Sequence, residues 1–292
     1  MTHRAPAGRR SNRPGPDRPV AARPSRPRPI GPRRRAARSA LAVGCLLGVL
    51  AAPPAQAQPG GASPTPGGAG DTVIVLINPN SNAEATRSMA ELARAEAEGV
   101  AAVIERSNEG APPLLTTPQD MRDAVPGVVA AGVEAARDER VAAIIVAAFS
   151  DPGLEELRAE VDVPVFGIGE EAFHEAARDG RAFGVVTVTP DEGLIESFRA
   201  KAAALGYEPQ YRGVRVTPGD PTELVRSPDT LDEALAEAVR RSVEEDGAEA
   251  VIMGGGPLSA PAIRLQPRFD APLVVAVNAA ARAAVEAIRG SE

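Results

Sequence analysis

The chain has 292 residues, 43% of them hydrophobic but only 3% aromatic, with no Trp and a net charge of −7. Its core must therefore be assembled from Ala, Val, Leu and Ile, and the length allows one large α/β domain or two small ones. The first 57 residues hold twelve arginines and a single acid, Asp17, so the remainder carries −18, an excess that disfavours nucleic acid as a partner.

That first segment reads as a secretory signal peptide. Arg33-Arg34-Arg35 leads into an apolar run from Ser39 to Ala52, and Ala55-Gln56-Ala57 supplies an A-x-A cleavage site. The run falls short of the about 20 residues that span a bilayer, so no membrane span is expected after processing. The arginine cluster is compatible with twin-arginine export, to a periplasmic or extracellular location. Cys45 also admits a lipoprotein reading, but the apolar run continues past it to Leu50 and the A-x-A site lies downstream. A mis-assigned start codon would shorten 1–35 and leave the export signal in place. Residues 58–70 form a Pro/Gly-rich linker. Cys45 is the only cysteine, so the processed chain has no disulfide, no thiolate metal site and no cysteine nucleophile.

Asp71 opens a strand, Val73–Ile77, which runs into Asn78-Pro79-Asn80-Ser81-Asn82. Ser81 and Glu84 have the S-x-x-E spacing of a capping box for a helix through Ala97. A strand over Ala101–Arg106, a Pro/Thr-rich loop over Asn108–Asp120 and a helix over Asp123–Asp138 follow. The apolar run Val141–Val146 reads as a buried strand that ends at Ala147-Ala148-Phe149-Ser150-Asp151-Pro152-Gly153-Leu154. Asp151 is placed to cap the next helix, with Pro152 in its first turn. Val163–Ile168 is another strand and Glu170–Arg178 another helix.

The order then repeats. Phe183–Val188 is a strand that ends at Thr189-Pro190-Asp191-Glu192, again a cap, a Pro and an acid. A helix to about Leu205, a short strand Val214–Val216, a loop with three prolines and a helix over Leu231–Asp246 follow. Ala250–Met253 is a strand ending at Gly254-Gly255-Gly256-Pro257-Leu258-Ser259. Pro272–Val277 is a last strand and Asn278–Arg289 a last helix. The spacings agree: 71 residues from Val73 to Ile144 and 67 from Gly184 to Val251, then 20 to Pro164 and 21 to Pro272.

Strand–helix alternation at this spacing predicts an α/β fold of two similar parallel-sheet units related by pseudo-twofold symmetry. The first unit covers 71–182, completed by the C-terminal helix, and the second covers 183–292. Corners at Asn78, Ala148, Thr187 and Gly255 would then face one cleft, since ligands bind beyond the carboxyl ends of such strands.

Helix N-termini at these corners offer N–H donors and positive dipole ends. Asn78, Asn80, Ser81, Ser150, Thr187 and Ser259 add short neutral polar groups. The implied ligand is a small carboxylate or cyclic amide, with no cofactor and no metal. The glycines at 254–256 have neither a G-x-G-x-x-G nor a G-K-[ST] context, so they make no nucleotide loop. His174 is the only histidine beyond the signal segment, and a helix-packing role suits it better than zinc binding. Homo-oligomerisation is compatible with the chain.

Leu76-Ile77-Asn78-Pro79-Asn80-Ser81, the stretch Ala148–Leu154, Gly169-Glu170-Glu171-Ala172-Phe173-His174 and Phe183-Gly184-Val185-Val186-Thr187 together resemble the hydantoin/allantoin racemases of the aspartate/glutamate racemase superfamily. The resemblance spans nearly all of 72–290 and implies the two-unit fold and an anion-binding cleft. It also implies a ligand contact at Phe149, Gly255 and Gly256. In that family two cysteines, one from each half, exchange protons on opposite faces of the stereocentre. Their positions here are Ala148 and Gly255, and Ser150 replaces a glycine of the first motif. The resemblance therefore implies the cleft without the two-cysteine reaction. Two functions fit: an enzyme using Asp151 or Ser150, with Ser259, Glu170 and His174 as further candidates, or a cell-envelope binding protein that holds its ligand without turnover.

Overall fold

The computed structural model describes residues 71–291, apart from 116, 225, 256 and 257. The signal peptide assigned to 1–57, the linker 58–70 and the candidate ligand residue Gly256 lie outside the described residues.

The first half runs β1 (Val73–Asn78), α1 (Ala83–Glu96), β2 (Ala102–Ser107), α2 (Pro118–Ala135), β3 (Val141–Val146), α3 (Leu154–Glu160), β4 (Val165–Gly167) and α4 (Ile168–Ala176). The second runs β5 (Phe183–Thr187), α5 (Glu192–Ala204), β6 (Tyr211–Val216), α6 (Pro221–Leu224), α7 (Pro228–Glu244), β7 (Ala250–Met253), α8 (Ser259–Leu265), β8 (Leu273–Val274) and α9 (Ala276–Ser291). Each half builds a four-stranded sheet, ordered β2-β1-β3-β4 and β6-β5-β7-β8, and every pairing is parallel. The central strands are continuous apolar runs because helices cover both faces of a parallel sheet. All six residues of β1 and all five of β5 are buried.

Two helices tie the halves together. α9 follows β8 in the chain yet packs on β3, β4 and α1, whereas α4 follows β4 yet touches β7 and β8; the two helices also pack on each other. Small residues allow the close approach: Ala276, Ala279, Ala280, Ala281 and Ala284 on α9 and Ala172 and Ala176 on α4 are buried. One apolar cluster consequently spans both sheets, from Ile74 and Ile145 through Phe173 to Phe183 and Ile252. The few aromatic residues concentrate at this seam. Of eight Phe and Tyr, six form one network through Phe149, Phe173, Phe183, Phe198, Tyr207 and Tyr211. Each buried Phe contributes about 1.5–3 kcal/mol of apolar transfer.

Several element starts differ from the sequence-based expectation, and capping chemistry explains each. α1 is capped by Asn82 rather than Ser81: the Asn82 Oδ1 accepts from Ala85 N at 3.0 Å. Asp191, not Thr189, caps α5 by accepting from Leu194 N at 2.7 Å. α2 begins at Pro118, inside the stretch expected to be loop. A full capping box holds it: Thr117 Oγ1 accepts from Asp120 N at 3.0 Å, and the Asp120 carboxylate accepts from Thr117 N at 2.9 Å. β8 is only two residues long, because α9 starts at Ala276 within the run Pro272–Val277. α3 opens on Gly153 with no side-chain cap, so Asp151 does not cap it.

Candidate functional site

The strand pairing places the four corners. β1 and β3 are paired as far as Ile77 and Val146, so the turn after Asn78 and the corner 147–153 emerge side by side. β5 and β7 are paired as far as Val186 and Met253, which sets Thr187 beside Gly254 and Gly255. Phe198 of α5 joins the two sets. Its ring meets Phe149 edge-on at 5.4 Å, and a Cβ on Gly254 would stand 3.5 Å from its Cζ.

At the first corner Asn78 is fully buried and its amide is spent within its own turn. Its Nδ2 donates to Asn80 Oδ1 and Thr86 Oγ1, both at 2.9 Å, and its Oδ1 accepts from Asn80 N at 3.2 Å. Asn80 Oδ1 also accepts from Asn82 N at 2.9 Å. This asparagine relay stiffens the turn and leaves Ser81 half-buried, its N–H donating to Pro112 O at 3.2 Å. In the second half Thr187 is buried, and its Oγ1 accepts from Thr189 N at 3.3 Å. Ser259 opens α8 half-buried, and Gly255 adopts φ +147°, a region that disfavours a side chain.

The corner after β3 is built differently. Ala148 and Phe149 are half-buried, and Ser150 is exposed and donates to Met121 Sδ at 3.0 Å. Asp151 is buried at φ +54°, left-handed for a residue other than glycine. Its carboxylate caps α4 instead of α3: Oδ1 accepts from Gly169 N at 2.8 Å and Oδ2 from Glu170 N at 2.7 Å. Lys201 of α5 donates to the same Oδ2 at 2.5 Å and to Phe149 O at 3.3 Å. Burial pushes the Asp151 carboxyl upward, while the Lys201 ammonium and the two N–H donors pull it back. Three donors fill three of the about four lone-pair sites of this carboxylate, and the Lys201 ammonium beside it opposes uptake of a proton.

Below the corner, on α4, lies a charged network. Arg158 grips Glu170 with two bonds, at 3.0 and 3.1 Å, and His174 Nε2 stands 3.5 Å from Glu170 Oε1. His174 Nδ1 pairs with the Tyr207 hydroxyl at 2.8 Å. The His174 contact and the Arg158 pair, against burial, hold Glu170 down at about 2, and the same contact raises His174. Glu170, Glu171 and His174 bring three potential ligand atoms within 4.8 Å of one another. Glu170 is already committed to Arg158, so the group reads as an ion-pair network between α3 and α4, joined to the second half by the His174–Tyr207 hydrogen bond.

This fold, with paired corners at the carboxyl ends of two parallel sheets, has known relatives. Residues 74–284 match the Asp/Glu/Hydantoin racemase family. The chain belongs to that family. A hydantoin racemase of Rhizobium meliloti is 31% identical over 219 residues, covering 75% of this chain and 89% of that one. A hydantoin racemase of Pseudomonas sp. (strain NS671) is 29% identical over 211 residues, covering 70% and 82%. Among solved structures, allantoin racemase from Klebsiella pneumoniae superposes with a TM-score of 0.67 at 26% identity, covering 75% of this chain and 88% of that one. In this family member every residue after Cys45 is something other than cysteine. Among the described residues no helix is long and apolar enough to cross a membrane.

Sequence reasoning missed three residues here. Lys201 lies 50 positions from its partner, Phe198 links the halves only in space, and Met121 was assigned to no site. A composition signal for the first existed: Lys201 is the only lysine in the chain.

Proposed function

We propose that the processed, exported chain holds a small carboxylate, amino acid or hydantoin/ureide-like molecule in the cleft between the halves, and does not racemise it through two cysteines. The absence of any ionisable side chain at Ala148 and Gly255 carries this reading. A positioned acid or base is worth about 10²–10⁴-fold in rate, and a methyl group and a hydrogen supply none of it. The ion-paired carboxylate of Asp151 supports the same conclusion, because the Lys201 ammonium and two N–H donors oppose its taking up a proton. The names of the relatives, hydantoin racemase and allantoin racemase, support the ligand class. The basic tract, apolar run and A-x-A site support export.

The test incubates residues 58–292 with 5-substituted hydantoins, allantoin, aspartate and glutamate in D₂O. Proton NMR follows α-exchange and product, and thermal shift follows binding. One of these ligands should raise the melting temperature, with α-exchange no faster than in buffer alone. Protein-dependent exchange or product would sink the non-catalytic reading, and no shift with any ligand would sink the binding reading. One observation favours catalysis by another route: the exposed Ser150 hydroxyl donates only to a thioether, a weak acceptor. Turnover abolished by Ser150→Ala would select an elimination or hydrolysis at that hydroxyl.

A further inference from the structure

The chain meets its need for strong cations with arginine 31 times and with lysine once. That lysine is Lys201, and among the described residues it sits at the only corner with a buried carboxylate. Its side chain is 22% exposed and that of Asp151 4%. It reaches from α5, in the second half, to the corner after β3, in the first. There it donates to both Asp151 Oδ2 (2.5 Å) and Phe149 O (3.3 Å), the two groups that flank Ser150.

We propose that Lys201 is a positioning residue for the cleft. Through Asp151 and the Phe149 carbonyl it locks the corner in the shape that presents Phe149 and Ser150. The inference deepens the ligand-binding reading above and rests on it for the cleft's use, but not for the lock itself.

Three further observations carry it. First, the corner holds a conformation it would not keep unaided: Asp151 has φ +54°, a region that costs a residue with a Cβ free energy unless its surroundings impose it. Second, the niche is close-packed on its α4 side. A Cβ at Gly169 would meet Phe149 O at 1.9 Å, Asp151 Oδ2 at 2.7 Å and Lys201 Nζ at 2.8 Å. The planar guanidinium is a fork with two more nitrogens to place and not a compact point charge, so it does not reproduce this pair of contacts. Third, the pseudo-equivalent corner shows the alternative. Leu258 N donates to Gly255 O at 3.0 Å as Asp151 N donates to Ala148 O at 2.9 Å, so Leu258 stands where Asp151 does. Leu258 is fully buried in an apolar cluster, with Leu92 of α1 packed against it. The fold can close such a corner with hydrocarbon alone. Among the described residues, only the corner carrying Ser150 is closed by a charge from the opposite half.

The experiment uses the single lysine. Protein labelled with ¹⁵N-lysine should show one side-chain NH₃⁺ signal at neutral pH, slowed in exchange by its two acceptors. In Lys201→Arg and Lys201→Met, amide hydrogen exchange at Gly169 and Glu170 should quicken at least tenfold more than at Ile144 and Ile252, buried strand residues that report global unfolding. Affinity for the ligand that stabilises the wild type should fall at least tenfold in both variants. Ethylammonium added to Lys201→Ala should restore it, and guanidinium should not. Absence of the NH₃⁺ signal, or wild-type exchange at Gly169 and Glu170 in Lys201→Arg, overturns the lock. A quickened exchange with unchanged affinity overturns the positioning role. If the wild type binds none of the probes, the proposed function fails, and the lock is decided by the lysine signal and hydrogen exchange alone.

Discussion

Gly169→Ala is the sharpest test of how the corner after β3 is built. The new methyl carbon would lie 1.9 Å from Phe149 O, where ordinary contact begins at 3.4 Å. The carbonyl is backbone and cannot swing away, so corner and helix must part by roughly 1.5 Å. Overpacking of this kind costs about 1–3 kcal/mol. The shift also breaks the hydrogen bonds from Gly169 N and Glu170 N to the Asp151 carboxylate, and bonds to a charged group are worth about 1.5–3 kcal/mol each. Loss of one with partial retention of the other gives a total near 4 kcal/mol. For a domain of this size 1 kcal/mol moves the melting temperature by about 2–4 °C, so a fall of about 8 °C or more is expected by calorimetry. Gly290→Ala is the control: a Cβ there meets nothing within 4 Å, and its melting temperature should stay level or rise slightly. A Gly169→Ala protein melting within about 2 °C of the wild type would show that the close packing of α4 on this corner is not as described.

Three further outcomes follow from the same contacts. Lys201→Met strands a buried carboxylate and should cost about 3–5 kcal/mol in urea unfolding at pH 7. Because burial raises the Asp151 carboxyl, that cost should shrink as the pH falls and vanish below its ordinary range; a pH-independent cost would refute the cause. Glu170 is held at about 2, below its ordinary 4.5, so the stability it contributes is complete above about pH 4.5 and is lost as the pH falls toward 2. Comparing Glu170→Gln with the wild type in urea across pH 2–7 should show the two curves converging through that window. Asn82→Ala should cost about 1 kcal/mol by loss of the α1 cap, and Ser81→Ala much less; the reverse order would return the cap to Ser81.

The parallel strands were legible because burial on both faces leaves nothing but apolar residues to read: Val73–Ile77, Val141–Val146 and Ala250–Met253 appear in the sequence as they do in the sheets. Helix starts were less legible. Ser81 and Asn82, or Thr189 and Asp191, are all competent caps, and only the backbone path selects which oxygen meets an N–H. The start of α2 was hidden because Pro, Thr and Asp, read as loop residues, are also the components of a capping box.

Asp151 marks the limit. Read locally, an Asp before Pro152 is a cap for the helix that follows. In space its carboxylate caps a different helix, 18 and 19 residues further on, and pairs with a lysine 50 residues away. The sequence by itself determined the alternation, the repeat, the corners and the lack of cysteine at them. These are properties of short stretches and of composition. Which corner is closed by charge, and which side chains cross between the halves, was decided by the tertiary structure alone. Those interactions depend on a few ångströms of distance between elements that share no local pattern.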